Sequence, residues 1–301
     1  MRSPFRPVAL PETYFWLTTA LDWRDFFAIA PLKTANPTGI GLAKKKSNSQ
    51  IKSMSSIFRR GLAQIESISA LEKPVRWLRR KLYLPTEENL LAYFDLIGLK
   101  ELRNRLAPEL TDAEILKTKT SKKYLHAERY IRHNLKRLDR LEIYGRPPIH
   151  ILDIGCGAGH FLKISEYLGH TTVGMDTERN EIFNSMIRLF GSRRVSHRIE
   201  PFQPMPDLGG PFDLITAYAI CFNGHNSMGL WGQKEWDYFL NDVRANHLLP
   251  TGTIYLELNP EDHVPTGHEY YSPELREYFL AQGAVIDCQK ITLQNRPSRA
   301  H

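Results

Sequence analysis

The chain has 301 residues, 42% hydrophobic and 24% charged, enough apolar material for a buried core and too much for a disordered or fibrous protein. No apolar run approaches the roughly 18–20 residues that cross a bilayer. The opening MRSPFRPVALPETYFWLTT lacks the apolar stretch and small-residue cleavage site of a secretory signal, so a cytoplasmic address is expected. The net charge of +7 is uneven: residues 1–150 carry 28 Lys and Arg against 15 Asp and Glu, residues 151–301 only 12 against 18. A basic half beside an acidic half implies that the first faces a polyanion, a membrane surface or the second half itself.

Residues 1–53 hold Pro4, Pro7, Pro11, Pro31 and Pro37 without sustained periodicity and read as a poorly ordered tail, with one short helix in the aromatic cluster YFWLTTALDWRDFF. Met54 stands where patterned sequence begins, so residues 1–53 are a candidate upstream extension of the reading frame, which the intact mass of the native protein checks. From residue 54 to 119 the pattern is helical and basic. Phe58, Leu62, Ile65, Ile68 and Leu71 recur at three- and four-residue steps. Pro74 ends or kinks that helix, and VRWLRRKLYL follows with Arg76, Arg79, Arg80 and Lys81. Thr86 caps TEENLLAYFDLIG, which Gly98 closes, and Thr111 with Glu114 forms a capping box for another short helix. One long helix is expected over residues 121–144, with Tyr124, Ala127, Ile131, Leu135, Leu138 and Leu141 along its core side. Pro147 and Pro148 end the helical region.

After residue 148 strands and helices alternate. IHILDIG, TTVGMD, RVSHRI, FDLITAYAI, GTIYLELN and AVIDCQKITLQ read as strands, the third weakly; HFLKISEYLG, ERNEIFNSMIRLFG, KEWDYFLNDVRANHLL and SPELREYFLAQG read as helices. This alternation specifies an α/β fold with a doubly wound, parallel, Rossmann-like sheet and a helical N-terminal extension. In such a sheet ligands sit where the strand order reverses, at the carboxyl ends of the strands. The turn after the first strand is ILDIGCGAGH, in which Asp153 is followed by Gly155, Gly157 and Gly159. The spacing GxGxG is not the GxGxxG that receives a pyrophosphate, and a carboxylate two residues before the first glycine suits a cation better than a phosphate.

ILDIGCGAGHF resembles the first motif of the class I S-adenosylmethionine-dependent methyltransferases. The resemblance covers about residues 120–290, and residues 120–301 would then be the cofactor-binding domain on a seven-stranded sheet. It implies that Asp153 helps hold the methionine part of S-adenosylmethionine, with Gly155, Cys156, Gly157 and Gly159 passing beneath it. Asp176, ending TTVGMD, matches the acid that accepts both ribose hydroxyls, with Met175 and Thr177 beside the adenine. Glu200 falls where the family has an acid near the adenine amine, although EPFQPMP departs from the usual form. FDLITAYAICFN resembles the fourth motif, which places Ala217 beside the cofactor.

Methyl transfer is an in-line displacement, so the protein chiefly positions the acceptor and removes its proton. The candidates are Tyr218, Asn223 and His225, in AYAICFNGHNSMGLWG, with Trp231 and Trp236 as an apolar wall. His225 has the intrinsic pKa of a general base. Cys156 reads as a small packing residue. Neither DPPY nor NPPY follows the fourth strand and no Pro-Cys pair occurs, which turns the reading away from nucleic-acid bases. The cysteines, Cys156, Cys221 and Cys288, form no CxxC pair and the histidines no HxxxH, so neither disulfides nor a metal are expected. A small-molecule acceptor is the first reading, with the basic helical region as a lid. Alternatives are an RNA methyltransferase, with Trp77 and Tyr83 interleaved in the basic stripe, binding of an anionic membrane surface, or a cofactor-binding protein without catalysis.

Overall fold

The computed structural model describes residues 72–220, 222, 231–259 and 270–295. The tail expected at residues 1–53, most of the helix expected over residues 56–73, and Asn223 and His225 among the candidates lie outside these. Among the described residues four helices come first: α1 (Glu72–Tyr83), α2 (Glu87–Leu96), α3 (Leu99–Leu106) and α4 (Asp112–Lys117). Pro74 does not break α1 but stands in its first turn, where a missing N–H leaves no partner unsatisfied. Thr86 caps α2 by accepting the Asn89 N–H, and Thr111 and Glu114 form the expected capping box on α4.

The single long helix expected over residues 121–144 is two elements, a 3₁₀ turn at Ser121–Leu125 and α5 at Ala127–Leu141. His126, in extended conformation, separates them, and its Nδ1 accepts the Arg129 N–H at 3.3 Å, a side-chain cap that helical periodicity does not announce. β1 (His150–Ile154), α6 (His160–Tyr167), β2 (Thr171–Asp176), α7 (Glu181–Phe190) and β3 (Arg194–Ser196) follow. β4 (Phe212–Ile220), α8 (Gln233–Asp242), β5 (Leu248–Leu258) and α9 (Pro273–Ala281) continue the alternation.

The last predicted strand is a hairpin, β6 (Val285–Asp287) and β7 (Lys290–Gln294), turning at Cys288 with φ 50°. The sheet order is β3-β2-β1-β4-β5-β7-β6. β3, β2, β1, β4 and β5 pair in parallel, whereas β7 is antiparallel to both β5 and β6, so the sheet is mixed rather than wholly parallel. The short turn after β6 forces this: a parallel return needs a crossover of about a dozen residues, and none is available between Asp287 and Lys290.

Successive strand residues point to opposite faces, and each face has its own core. On one, Leu152, Ile215, Ala217, Ile254 and Leu256 meet Trp236, Phe239 and Phe279 of α8 and α9. On the other, Ile151, Leu214 and Tyr255 meet α6 and α7 together with Leu90, Phe94, Leu102, Ile131 and Leu138. The N-terminal helices therefore share a core with the sheet; each fully buried Leu or Phe is worth about 1.5–3 kcal/mol. Arg76 pairs with Glu142 at 2.8 Å, Arg80 with Asp139 at 3.2 Å, and Arg79 is buried. Much of the basic stripe is thus spent fastening α1 to the end of α5.

Candidate functional site

β1 runs between β2 and β4, and the chain leaves it for β2 and β3 on one side and for β4 and β5 on the other. The carboxyl end of β1 is therefore the switch point. Ile154 lies level with Met175 and Ala217, which brings the ends of three strands together.

The glycine loop turns over the end of β2. Gly155 and Cys156 donate their N–H groups to the Met175 carbonyl at 2.7 and 3.2 Å, and Gly157 donates to Asp176 Oδ2 at 2.7 Å. Gly155, Gly157 and Gly159 have φ of 69°, 55° and 79°, left-handed values that only glycine adopts freely. Their roles differ, and not all of them border the space expected for the cofactor. A Cβ on Gly159 would stand 2.6 Å from Ile187 Cδ1, so that position serves the packing of α6 against α7. Cys156 is buried with its Sγ in the space left by Gly174, and burial pushes its thiol pKa up, as befits a packing residue.

A cavity of about 690 Å³ opens above this loop. Asp153, Gly155, Cys156, Gly157, Met175, Asp176, Thr177, Glu200 and Tyr218 line it; Gly159 and Ala217 do not, Ala217 being fully buried in β4 while Ala219 reaches the cavity. Trp231 and Phe222 form an apolar wall, and Trp236 lies in the core behind them.

Asp153 is 3% exposed. Its Oδ1 accepts the Thr216 hydroxyl at 2.7 Å, and burial pushes its pKa up to about 7 despite that bond and the pull of Arg137. It is a carboxyl group short of a cation. Asp176 has one oxygen on the Gly157 N–H and the other on the Thr177 N–H at 2.6 Å, which leaves each oxygen a second lone pair toward the cavity. Glu200 is held by Arg198 at 3.0 Å. Tyr218 sits with its ring under Arg137, its buried hydroxyl has no hydrogen-bond partner among the described residues, and burial pushes the phenol pKa far up.

Sequence reasoning missed one wall. Tyr130, His133, Asn134 and Arg137 of α5, with Tyr124 before it, also line the cavity. Tyr130 stacks on Tyr124 and on His160, the first residue after the glycine loop, at 4.6 and 4.9 Å between centroids. His160 is buried and burial lowers its pKa to about 3, so it is a neutral packing ring. The available signal was the polar and aromatic series 130, 133/134, 137, at helical spacing beside the apolar stripe of α5.

The donor set accommodates a cationic, ribose-bearing ligand: a buried acid bonded to the Thr216 hydroxyl with no ion pair among the described residues, a second acid held by two backbone N–H groups, and a glycine-rich loop between them. Among the described residues no group of three or more His, Cys, Asp or Glu is placed to hold a metal ion, and no helix is long and apolar enough to cross a membrane.

Residues 124–221 match the family described as "Methyltransferase domain". No curated protein matches the chain. An amino pentose methyltransferase from Micromonospora echinaspora, solved with S-adenosylmethionine bound, is 24% identical over 42% of this chain and 49% of its own, with a TM-score of 0.31. The chain thus spans about half of that protein. The 1,6-didemethyltoxoflavin-N1-methyltransferase of Burkholderia thailandensis, solved with its namesake compound and S-adenosylhomocysteine, is 15% identical over 68% of this chain and 90% of its own, with a TM-score of 0.39.

Proposed function

We propose that this chain is a class I S-adenosylmethionine-dependent methyltransferase that methylates a small-molecule acceptor, a reading supported by the match of residues 124–221 to the family described as "Methyltransferase domain". The observation that carries the reading is the placement of Asp153 and Asp176, at the ends of adjacent strands, in one cavity floored by the glycine loop. The cofactor, when bound, supplies a methyl group on a sulfonium. Asp153 gives its charge a buried counter-charge, and Asp176 offers two lone pairs to vicinal hydroxyls. Thr177 and Glu200 edge the space beside Asp176. Phe222 and Trp231 exclude water from the end nearest β4, where the acceptor would enter beside Tyr218.

A small acceptor is favoured because α5 closes one side of a cavity of about 690 Å³ that the cofactor must share. Nothing supports RNA or a membrane: Arg76 and Arg80 are ion-paired within the protein and Arg79 is buried. Calorimetric titration of S-adenosylhomocysteine tests the reading. Binding to the wild type is expected, weakened roughly ten- to hundredfold in Asp176→Ala through the unpaired hydroxyls and the loosened Gly157 N–H. Absence of binding to folded wild-type protein would refute it, and methyl transfer to acceptors in the presence of S-adenosylmethionine separates an enzyme from a silent binder.

A further inference from the structure

Between β3 and β4 the backbone takes a conformation that its sequence does not favour. Glu200–Gln203 form a turn, the Gln203 N–H donating to the Glu200 carbonyl at 3.4 Å. Pro201 stands at its second position, which suits a fixed φ, but the third is Phe202 at φ 59°. A left-handed third position favours glycine or asparagine, because a Cβ crowds the backbone there. The Phe202 ring does not offset that strain by entering the core, since it is 52% exposed. It meets Tyr238 of α8 edge to face, 5.9 Å between centroids, and the two rings line an open hollow with Lys234 and Asn241. Glu200 and Pro201, the residues just before it, line the cofactor cavity instead. One tight turn thus touches the cavity on one side and α8 on the other. Three residues on, the Met205 N–H donates to Asp242 Oδ2 at 2.8 Å, a second tie to the same helix. The Arg198–Glu200 pair adds little to this placement, because both side chains are exposed to water.

We propose that Phe202 is a positioning residue for the nucleoside half of the cofactor: its ring, seated on Tyr238, holds the Glu200–Gln203 turn at the edge of the cavity beside Asp176. The proposal rests on the cofactor reading above. Strain at a bulky residue persists only where surrounding contacts over-determine it, and such residues cluster where a segment must be held for a site. Glycine at position 202 would relax the turn and lose the seat; phenylalanine keeps the seat at a conformational cost. Through this contact α8 acts on a cavity that neither Tyr238 nor Asp242 lines.

The test combines urea melting with calorimetry of S-adenosylhomocysteine and of 5′-methylthioadenosine, which lacks the amino-acid end. Wild type is compared with Phe202→Ala, Phe202→Gly, Phe202→Tyr and Tyr238→Ala. Alanine keeps the left-handed strain and loses the ring, whereas glycine loses both, so the glycine variant should melt at higher urea than the alanine variant. Both should nonetheless bind either ligand about tenfold more weakly than wild type, because both lack the seat. Phe202→Tyr should keep wild-type affinity, and Tyr238→Ala, which leaves the turn's own residues intact, should reproduce the loss. Wild-type affinity in the folded alanine and glycine variants, or in Tyr238→Ala, would overturn the proposal. So would affinity restored by glycine alone, since a relaxed turn would then suffice without a ring, or a loss confined to S-adenosylhomocysteine. Folded wild-type protein that binds neither nucleoside would sink the cofactor reading itself and the proposal with it, so the two failures are distinguishable.

Discussion

Asp153→Asn should move stability and cofactor affinity in opposite directions. In the free protein burial holds the Asp153 pKa at about 7, against roughly 3.9 for an unperturbed aspartate. A carboxyl whose folded pKa is raised binds its proton more tightly in the native state, so its ionisation costs stability as pH rises from about 4 to about 7. The full cost, three pH units at about 1.4 kcal/mol each, is roughly 4 kcal/mol and is reached above pH 7. Asparagine keeps an oxygen for the Thr216 hydroxyl and removes the charge, so the variant should gain stability at pH 8 and change little at pH 4. A ligand bringing an ammonium to Asp153 requires the ionised form. At pH 7 binding of S-adenosylhomocysteine should therefore release about half a proton, and affinity should fall about tenfold from pH 8 to pH 6. Calorimetry in two buffers of different ionisation enthalpy measures the proton directly, and denaturant melts at the two pH values measure the stability. The variant should release no proton from this site and bind more weakly at pH 8. Proton release unchanged by Asp153→Asn, or a variant less stable than wild type at pH 8, would refute the reasoning.

Gly159→Ala should destabilise by about 2–4 kcal/mol, combining a left-handed residue at φ 79° with the 2.6 Å approach to Ile187 Cδ1. Adding Ile187→Val removes that methyl, so a double-mutant cycle by urea melting should show positive coupling, and strict additivity would contradict the contact. Iodoacetamide should modify exposed Cys288 in the native protein and leave Cys156 untouched until denaturant is added, as peptide mass spectrometry will show. Asp139→Asn together with Glu142→Gln should cost no more than about 1 kcal/mol per pair, because Arg76 and Arg80 are half-exposed. If α1 is fastened rather than free, filter binding should find no gain in nucleic-acid affinity until those pairs are broken.

The parts of the fold legible in the sequence are those fixed by short-range chemistry. The caps at Thr86 and Thr111, the strand ends at Asp153 and Asp176, and the glycine loop each depend on residues within a few positions of one another. The errors lie where a distant or unusual partner decides. His126 breaks the helix with a side-chain cap that histidine seldom supplies, and β6 and β7 separate at a turn whose left-handed residue is Cys288 rather than glycine or asparagine. Gly159 looked like a ligand-facing glycine because its true neighbour, Ile187, lies 28 positions away on α7.

The candidate site divides in the same way. Its floor is written in two local motifs, but its roof comes from α5, whose inward face mixes an apolar stripe with Tyr130, His133, Asn134 and Arg137. Read alone, those residues are a solvated helix face, and Arg137 is one cation in a run of them. It becomes a site residue only because Tyr218, 81 positions later in β4, supplies the ring on which its guanidinium rests. Burial raises the Tyr218 phenol pKa well above its ordinary value, which disfavours the phenolate that a general base needs. His133, another lining residue, is kept from charging by burial first and then by its cationic neighbours Arg129, Arg137 and Lys136, which lower its pKa.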